Sequence, residues 1–119
     1  MTPAITNLKW SGPLLSWHAA GAPQHLDLQR DVENALVLHS EGIAVVLADK
    51  NWDDRALILN ADASLRVELK NPFRPEEGRI FYYFMYERER LIVVLAGRSD
   101  FKCYVDEVTG ALSEPQETR

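Results

Sequence analysis

Residues 43–48 (IAVVLA) and 91–96 (LIVVLA) are near-copies, and neither run contains a polar side chain. Successive side chains of a strand point to opposite faces of its sheet. A run that is apolar at both parities therefore belongs to a strand covered on both sides. The β-branched valines and isoleucines favour that extended backbone. Wherever these two runs lie, the fold must place apolar cover above and below them.

The surroundings of the two runs correspond as well. After residues 43–48 come a polar turn at 49–54, an apolar run at 55–60, a turn at 61–64, and then Leu65, Val67 and Leu69 alternating with Arg66, Glu68 and Lys70. After residues 91–96 come a turn at 97–100, alternation from Phe101 to Asp106, a turn through Gly110, and the short apolar piece at 111–113. Pro72, Pro75 and Gly78 separate the halves, because prolines so close together cannot continue a strand ladder. Each half reads as four consecutive strands, over residues 35–70 and 79–114, with 71–78 as connector. A spacing in the mid-forties with four strands per unit matches propeller blades. Two units cannot close a propeller, which takes at least about four. The expected fold is mainly β: one antiparallel meander of about eight to ten strands, in two packed four-stranded sheets or an open barrel. Each sheet would be covered by the other or by the N-terminal segment.

That segment, residues 1–34, is interrupted by Pro3, Gly12, Pro13, Gly21 and Pro23 and reads as irregular, with short edge strands near 7–10 and 14–18. Over residues 24–40 a helix of about a dozen residues competes with two short strands. Leu28, Val32, Ala35, Leu36 and His39 have helical spacing, with Asp27 as cap. Leu26, Leu28 and Arg30 alternate instead, and residues 36–38 lead into a turn like the arm of a hairpin, which favours strands. At most one short helix is expected before residue 42, and residues 115–119 read as a frayed tail.

A chain of 119 residues suffices for one domain. Its formal charge of −5, with the 13 basic residues unclustered, argues against phosphate-backbone binding and so against a nucleic-acid partner. A basic protein partner suits that charge better. Cys103 is the only cysteine, so no internal disulfide forms, and a reducing, cytoplasmic location is expected. The apolar runs fall far short of the roughly 20 residues that span a bilayer. The early apolar stretch, broken by Ser11, Gly12 and Pro13, makes a poor signal peptide. No membrane association is expected.

Few residues suggest chemistry. His18 and His25 stand seven apart with no cysteine near, which is not a zinc pattern. Asp49, Asn51, Asp53 and Asp54 lack the glycine and terminal glutamate of a calcium loop. Cys103, beside Phe101 and Val105 on one parity, reads as an apolar filler. The Asp106-x-x-Thr109-Gly110 turn is common to many unrelated β proteins. No catalytic residue, metal or cofactor is expected.

Two groups stand out as binding candidates. Trp52 with Asp53 and Asp54 forms an aromatic, acidic turn, and Tyr82, Phe84 and Tyr86 share one parity of an aromatic strand whose other parity is Phe81, Tyr83 and Met85. They point to a non-catalytic protein-binding module, of which a toxin-neutralising immunity protein is one instance consistent with small size and acidity. The alternative is a small-molecule-binding β domain or enzyme with its ligand between the sheets, against Tyr82, Phe84 and Tyr86. A homodimer through sheet edges is a further expectation.

Overall fold

The computed structural model describes residues 5–51 and 53–118, and among them the chain forms eleven strands. They are β1 Ile5–Ser11, β2 Leu14–Ala19, β3 Ala22–Asp27, β4 Val32–Val37, β5 Gly42–Lys50, β6 Asp53–Asn60, β7 Leu65–Glu68, β8 Ile80–Glu87, β9 Arg90–Ala96, β10 Phe101–Tyr104 and β11 Gln116–Glu117. Between β7 and β8 lies one 3-10 turn, Pro75–Glu77. Every hydrogen-bonded neighbour is antiparallel and consecutive in the chain, giving three open meanders: β1-β2-β3, β4-β5-β6-β7 and β8-β9-β10-β11.

Two four-stranded sheets lie either side of the Pro/Gly connector, the second completed by Gln116–Glu117 from beyond the expected half, and the N-terminal third adds another layer. In the β5–β6 pair, Ala44 lies opposite Ile58 and Val46 opposite Ala56, while Ile43 faces Leu59 and Val45 faces Leu57. The first set packs with Phe81, Phe84, Leu91, Val93, Leu95 and Cys103 of the C-terminal sheet. The second packs with Leu15 and Trp17 of β2 and with Val32 and Ala35 of β4. The middle sheet is thus doubly covered, as residues 43–48 require. Trp17 is buried whole because its single donor, Nε1–H, reaches the Ala61 carbonyl at 2.9 Å.

The N-terminal segment is a sheet where irregular chain was expected. Its glycines and prolines lie where a sheet tolerates them. Gly12 and Pro13 make the turn between β1 and β2, Ala20 and Gly21 that between β2 and β3, and Pro23 sits in the edge strand β3. Strand β2, expected at an edge, is the middle strand of this sheet. Residues 24–40 supply parts of two strands. Gln29 adopts φ 62° and its N–H bonds Asp27 Oδ1 at 2.8 Å, so the aspartate closes a turn instead of capping a helix. At the other end, Gln116 pairs with Lys102 and Glu117 with Phe101, so part of the expected tail is the fourth strand, while Leu112 forms only an isolated bridge to Val105. Among the described residues no helix is long and apolar enough to cross a membrane.

Residues 91–96 are placed differently from 43–48. Leu91, Val93 and Leu95 enter the core against the middle sheet. Ile92 and Val94 point the other way, where no further layer stands among the described residues.

Candidate functional site

The stack of three sheets has two outer faces, and their chemistry differs. On the N-terminal sheet the outward positions, set by register, hold Lys9, Ser16, His18, His25 and Asp27, with Leu14 and Pro23 among them as apolar exceptions. That is the usual apolar-in, polar-out pattern of a solvated sheet. On the C-terminal sheet the register places Tyr83, Val94, Lys102 and Gln116 in one cross-strand row, Met85, Ile92 and Tyr104 in the next, and Glu87 opposite Arg90. The centre of this face is apolar and its margin charged.

Ile92 and Val94 are only 2% and 4% exposed, although no layer among the described residues covers them. The larger side chains beside them in the same sheet screen them and take the solvent contact, Met85 being 39% exposed. A hollow of about 520 Å³ opens over this centre, bordered by Tyr83, Met85, Glu87, Asp100, Lys102 and Glu117 among others. Its polar margin is ordered. Lys102 Nζ donates to both Glu87 oxygens at 2.9 and 2.8 Å, the Tyr104 hydroxyl donates to Glu87 Oε1 at 3.0 Å, and the Arg90 guanidinium lies 3.6 Å above the Tyr104 ring. The Lys102 and Tyr104 hydrogen bonds hold the Glu87 carboxyl below its ordinary range, and Glu87 in turn raises Lys102.

The aromatic strand β8 carries a bulge. Register slips between Phe81 and Tyr83, leaving Tyr82 as the extra residue. Phe81 and Phe84 therefore both point inward, Tyr83 and Met85 outward, and Tyr86 inward again. Tyr82, Phe84 and Tyr86 do not share a face. Phe84 is core at 3% exposure, while Tyr82 is 51% exposed with its ring edge-on to Tyr83, centroids 5.2 Å apart.

Tyr86 closes the end of the interface between the middle and C-terminal sheets. Its hydroxyl donates to Glu107 Oε2 at 2.7 Å and accepts the His39 N–H at 2.8 Å, and its ring stacks on His39 with centroids 3.9 Å apart. Glu107 Oε1 accepts from Ser40 N–H and Oγ at 3.2 and 2.7 Å, and Arg66 Nη1 donates to Ser40 Oγ and the Glu107 carbonyl at 3.0 and 3.1 Å. These bonds latch the β4–β5 turn to the turn after β10. Burial pushes the Tyr86 hydroxyl pKa well up. Burial also works to raise Glu107, but the donors from Ser40 and Tyr86 outweigh it, and its carboxyl lies below the ordinary range. Beside the latch is an open cleft of about 780 Å³ lined by His39, Glu89, Arg90, Tyr104, Asp106 and Glu107 among others.

No family model matches the chain, and no curated protein matches it. Its fold is similar to that of one chain in a solved structure, Tne2 in complex with Tni2. The two share 14% identity over 92% of this chain and 82% of that one, with a TM-score of 0.71. At that identity the likeness is one of fold.

In the acidic turn, Trp52 lies outside the described residues. Asp53 is exposed and takes Arg30, whose two terminal nitrogens reach its carbonyl at 2.6 Å and its Oδ2 at 3.0 Å. The Asp54 carboxylate is occupied within the fold: Oδ2 accepts from Asn71 Nδ2 and from the Phe81 N–H, both at 3.0 Å. It ties the connector and the start of β8 to β6, and so brings this turn next to the residue before Tyr82.

Among the described residues no three His, Cys, Asp or Glu side chains are disposed to hold a metal. Cys103 is buried between the middle and C-terminal sheets, and that burial pushes its thiol up to about 11, away from thiolate chemistry. The space between these sheets is filled by core side chains, and the recesses described above open at the surface. The outward residues of β8–β10, namely Tyr83, Met85, Arg90, Ile92, Val94, Lys102 and Tyr104, were not singled out by sequence reasoning. Their signal was present in residues 91–96, which are apolar at both parities yet end up in an outermost sheet.

Proposed function

We propose that this chain is a non-catalytic protein-binding module that docks a partner protein on the outer face of its C-terminal sheet. Strand β9 carries the reading. It is built like a strand with cover on both sides, and the described residues supply cover on one, leaving Ile92 and Val94 behind a thin screen of Tyr83, Met85, Lys102 and Tyr104. A partner's surface supplies the rest. Tyrosine, methionine and arginine are the residues enriched at the cores of such contacts. Tyr82, exposed at the β8 bulge with its ring edge-on to Tyr83, extends the surface.

The finer reading is an immunity-type protein, cytoplasmic, that neutralises a toxin by covering it. Small size, acidity and fold similarity to a chain from a two-protein complex support it. The test is co-expression with the protein encoded beside this chain, reading growth and a stoichiometric complex on gel filtration. The expected result is rescued growth, a complex, and an affinity lowered about tenfold or more by combined Tyr83→Ala and Met85→Ala. If neither a protected phenotype nor a complex emerges from any neighbouring product, the reading fails.

A further inference from the structure

The charge of this chain is not spread evenly over its two outer faces. The hollow over β8–β10 is lined by three acids, Glu87, Asp100 and Glu117, against Lys102, and the cleft at the end of the interface between the middle and C-terminal sheets by three more, Glu89, Asp106 and Glu107, against Arg90. The balance is four negative charges, set against a formal −5 for the entire chain. Both bases are committed within the face, Lys102 to Glu87 and Arg90 to the Tyr104 ring. Glu89, Asp100 and Glu117 are exposed, and their carboxylates make no hydrogen bond or ion pair among the described residues.

We infer that the partner docked on this face presents a basic surface, with lysine and arginine side chains flanking an apolar centre that seats on Tyr83, Met85 and Tyr104. The inference rests on the protein-binding reading and adds the chemistry of the partner. Charge also excludes the other simple occupant. A second copy of the chain, face to face, would set acids against acids across the contact, which opposes association and steers a cationic partner in.

The experiment compares wild type with a triple variant, Glu89→Lys, Asp100→Lys and Glu117→Lys, which alters three carboxylates that hold no structural bond. Lys9→Glu on the opposite outer face is the control. A partner captured from native lysate is identified and purified, and its affinity is measured at low and high salt. The triple variant and the high salt are each expected to weaken binding about tenfold or more, with Lys9→Glu within about twofold of wild type. In parallel, hexalysine is titrated into the isotope-labelled chain alone, and amide shifts are expected to cluster on β8–β10 and residues 106–107. A partner bound equally well by the triple variant, or hexalysine shifts that are absent or scattered over the N-terminal sheet, overturns the basic-partner inference and leaves protein binding standing. Failure to find any stoichiometric partner, with wild type self-associating in sedimentation and the triple variant monomeric, overturns both.

Discussion

Val93 has no exposure and lies in β9 among the side chains between the middle and C-terminal sheets. Val93→Asp would bury a carboxylate with no partner there, costing several kcal/mol, about half or more of a typical domain's stability. Thermal denaturation should show no cooperative transition near that of wild type, and near-normal melting would refute the burial. Tyr86→Phe keeps the ring on His39 but leaves the His39 N–H and Glu107 Oε2 short of a partner, a loss of about 1–3 kcal/mol in urea unfolding. Glu107 adds a pH dependence. Its carboxyl is held below the ordinary range, so the folded state favours the ionised form. That contribution is complete above about pH 5 and disappears as pH falls through the folded value. Glu107→Gln should therefore be less stable than wild type at neutral pH, with the gap narrowing on acidification. A gap that widens below about pH 4 would contradict the latch.

Strand β8 is an edge, and edges invite pairing with other chains. Two of its N–H groups are stopped by side chains from the middle sheet, Phe81 by Asp54 at 3.0 Å and Phe84 by Asn34 Oδ1 at 2.9 Å. Asn34→Ala should cost about 1 kcal/mol and raise concentration-dependent association, read by sedimentation velocity. The turn after β10 is equally specified. Asp106 Oδ1 accepts the Val108 and Thr109 N–H groups, both at 2.9 Å, and Gly110 follows with φ 75°. A Cβ there would stand 2.9 Å from Val67 Cγ2 of the middle sheet. Gly110→Ala should destabilise by about 1–3 kcal/mol in chemical denaturation. The Asp-x-x-Thr-Gly pattern was visible in the sequence as a turn. Its close approach to Val67 was not, because the contact spans about forty residues and two sheets.

The middle sheet depends on both neighbours. Ile43, Val45, Leu47, Leu57 and Leu59 all face the N-terminal sheet and are almost fully buried. A chain lacking residues 1–28 would expose that row as one apolar surface. It should bind a hydrophobic dye and melt without cooperativity. A truncated chain that melts like wild type would mean that the N-terminal sheet is an accessory. Among the described residues the C-terminal sheet has no such second cover, and that asymmetry separates a solvated polar face from the face proposed to meet a partner.

Local alternation determined most of the elements: the strands from β5 to β10 and the Pro/Gly connector, but not the fourth strand of the C-terminal sheet, which Gln116–Glu117 supplies in place of residues 111–113. It also stated that residues 91–96 need two covers. Layer order came from elsewhere. Residues 1–34 carry turn residues that mark breaks and tight hairpins equally, and only pairing with β2 distinguishes the two. The parity of the aromatic strand came from elsewhere too, since the bulge at Tyr82 is a mismatch between β8 and β9 that neither strand's own residues record. The bulge brings Phe81 to the same side as Phe84 and takes Tyr82 out of the set. Phe84, a binding candidate by sequence, is core because its parity faces the middle sheet, which leaves Tyr83 and Met85 on the open face. Side-chain period is a property of one strand. Which period faces water depends on what packs against it, and that is settled only when all three sheets are stacked.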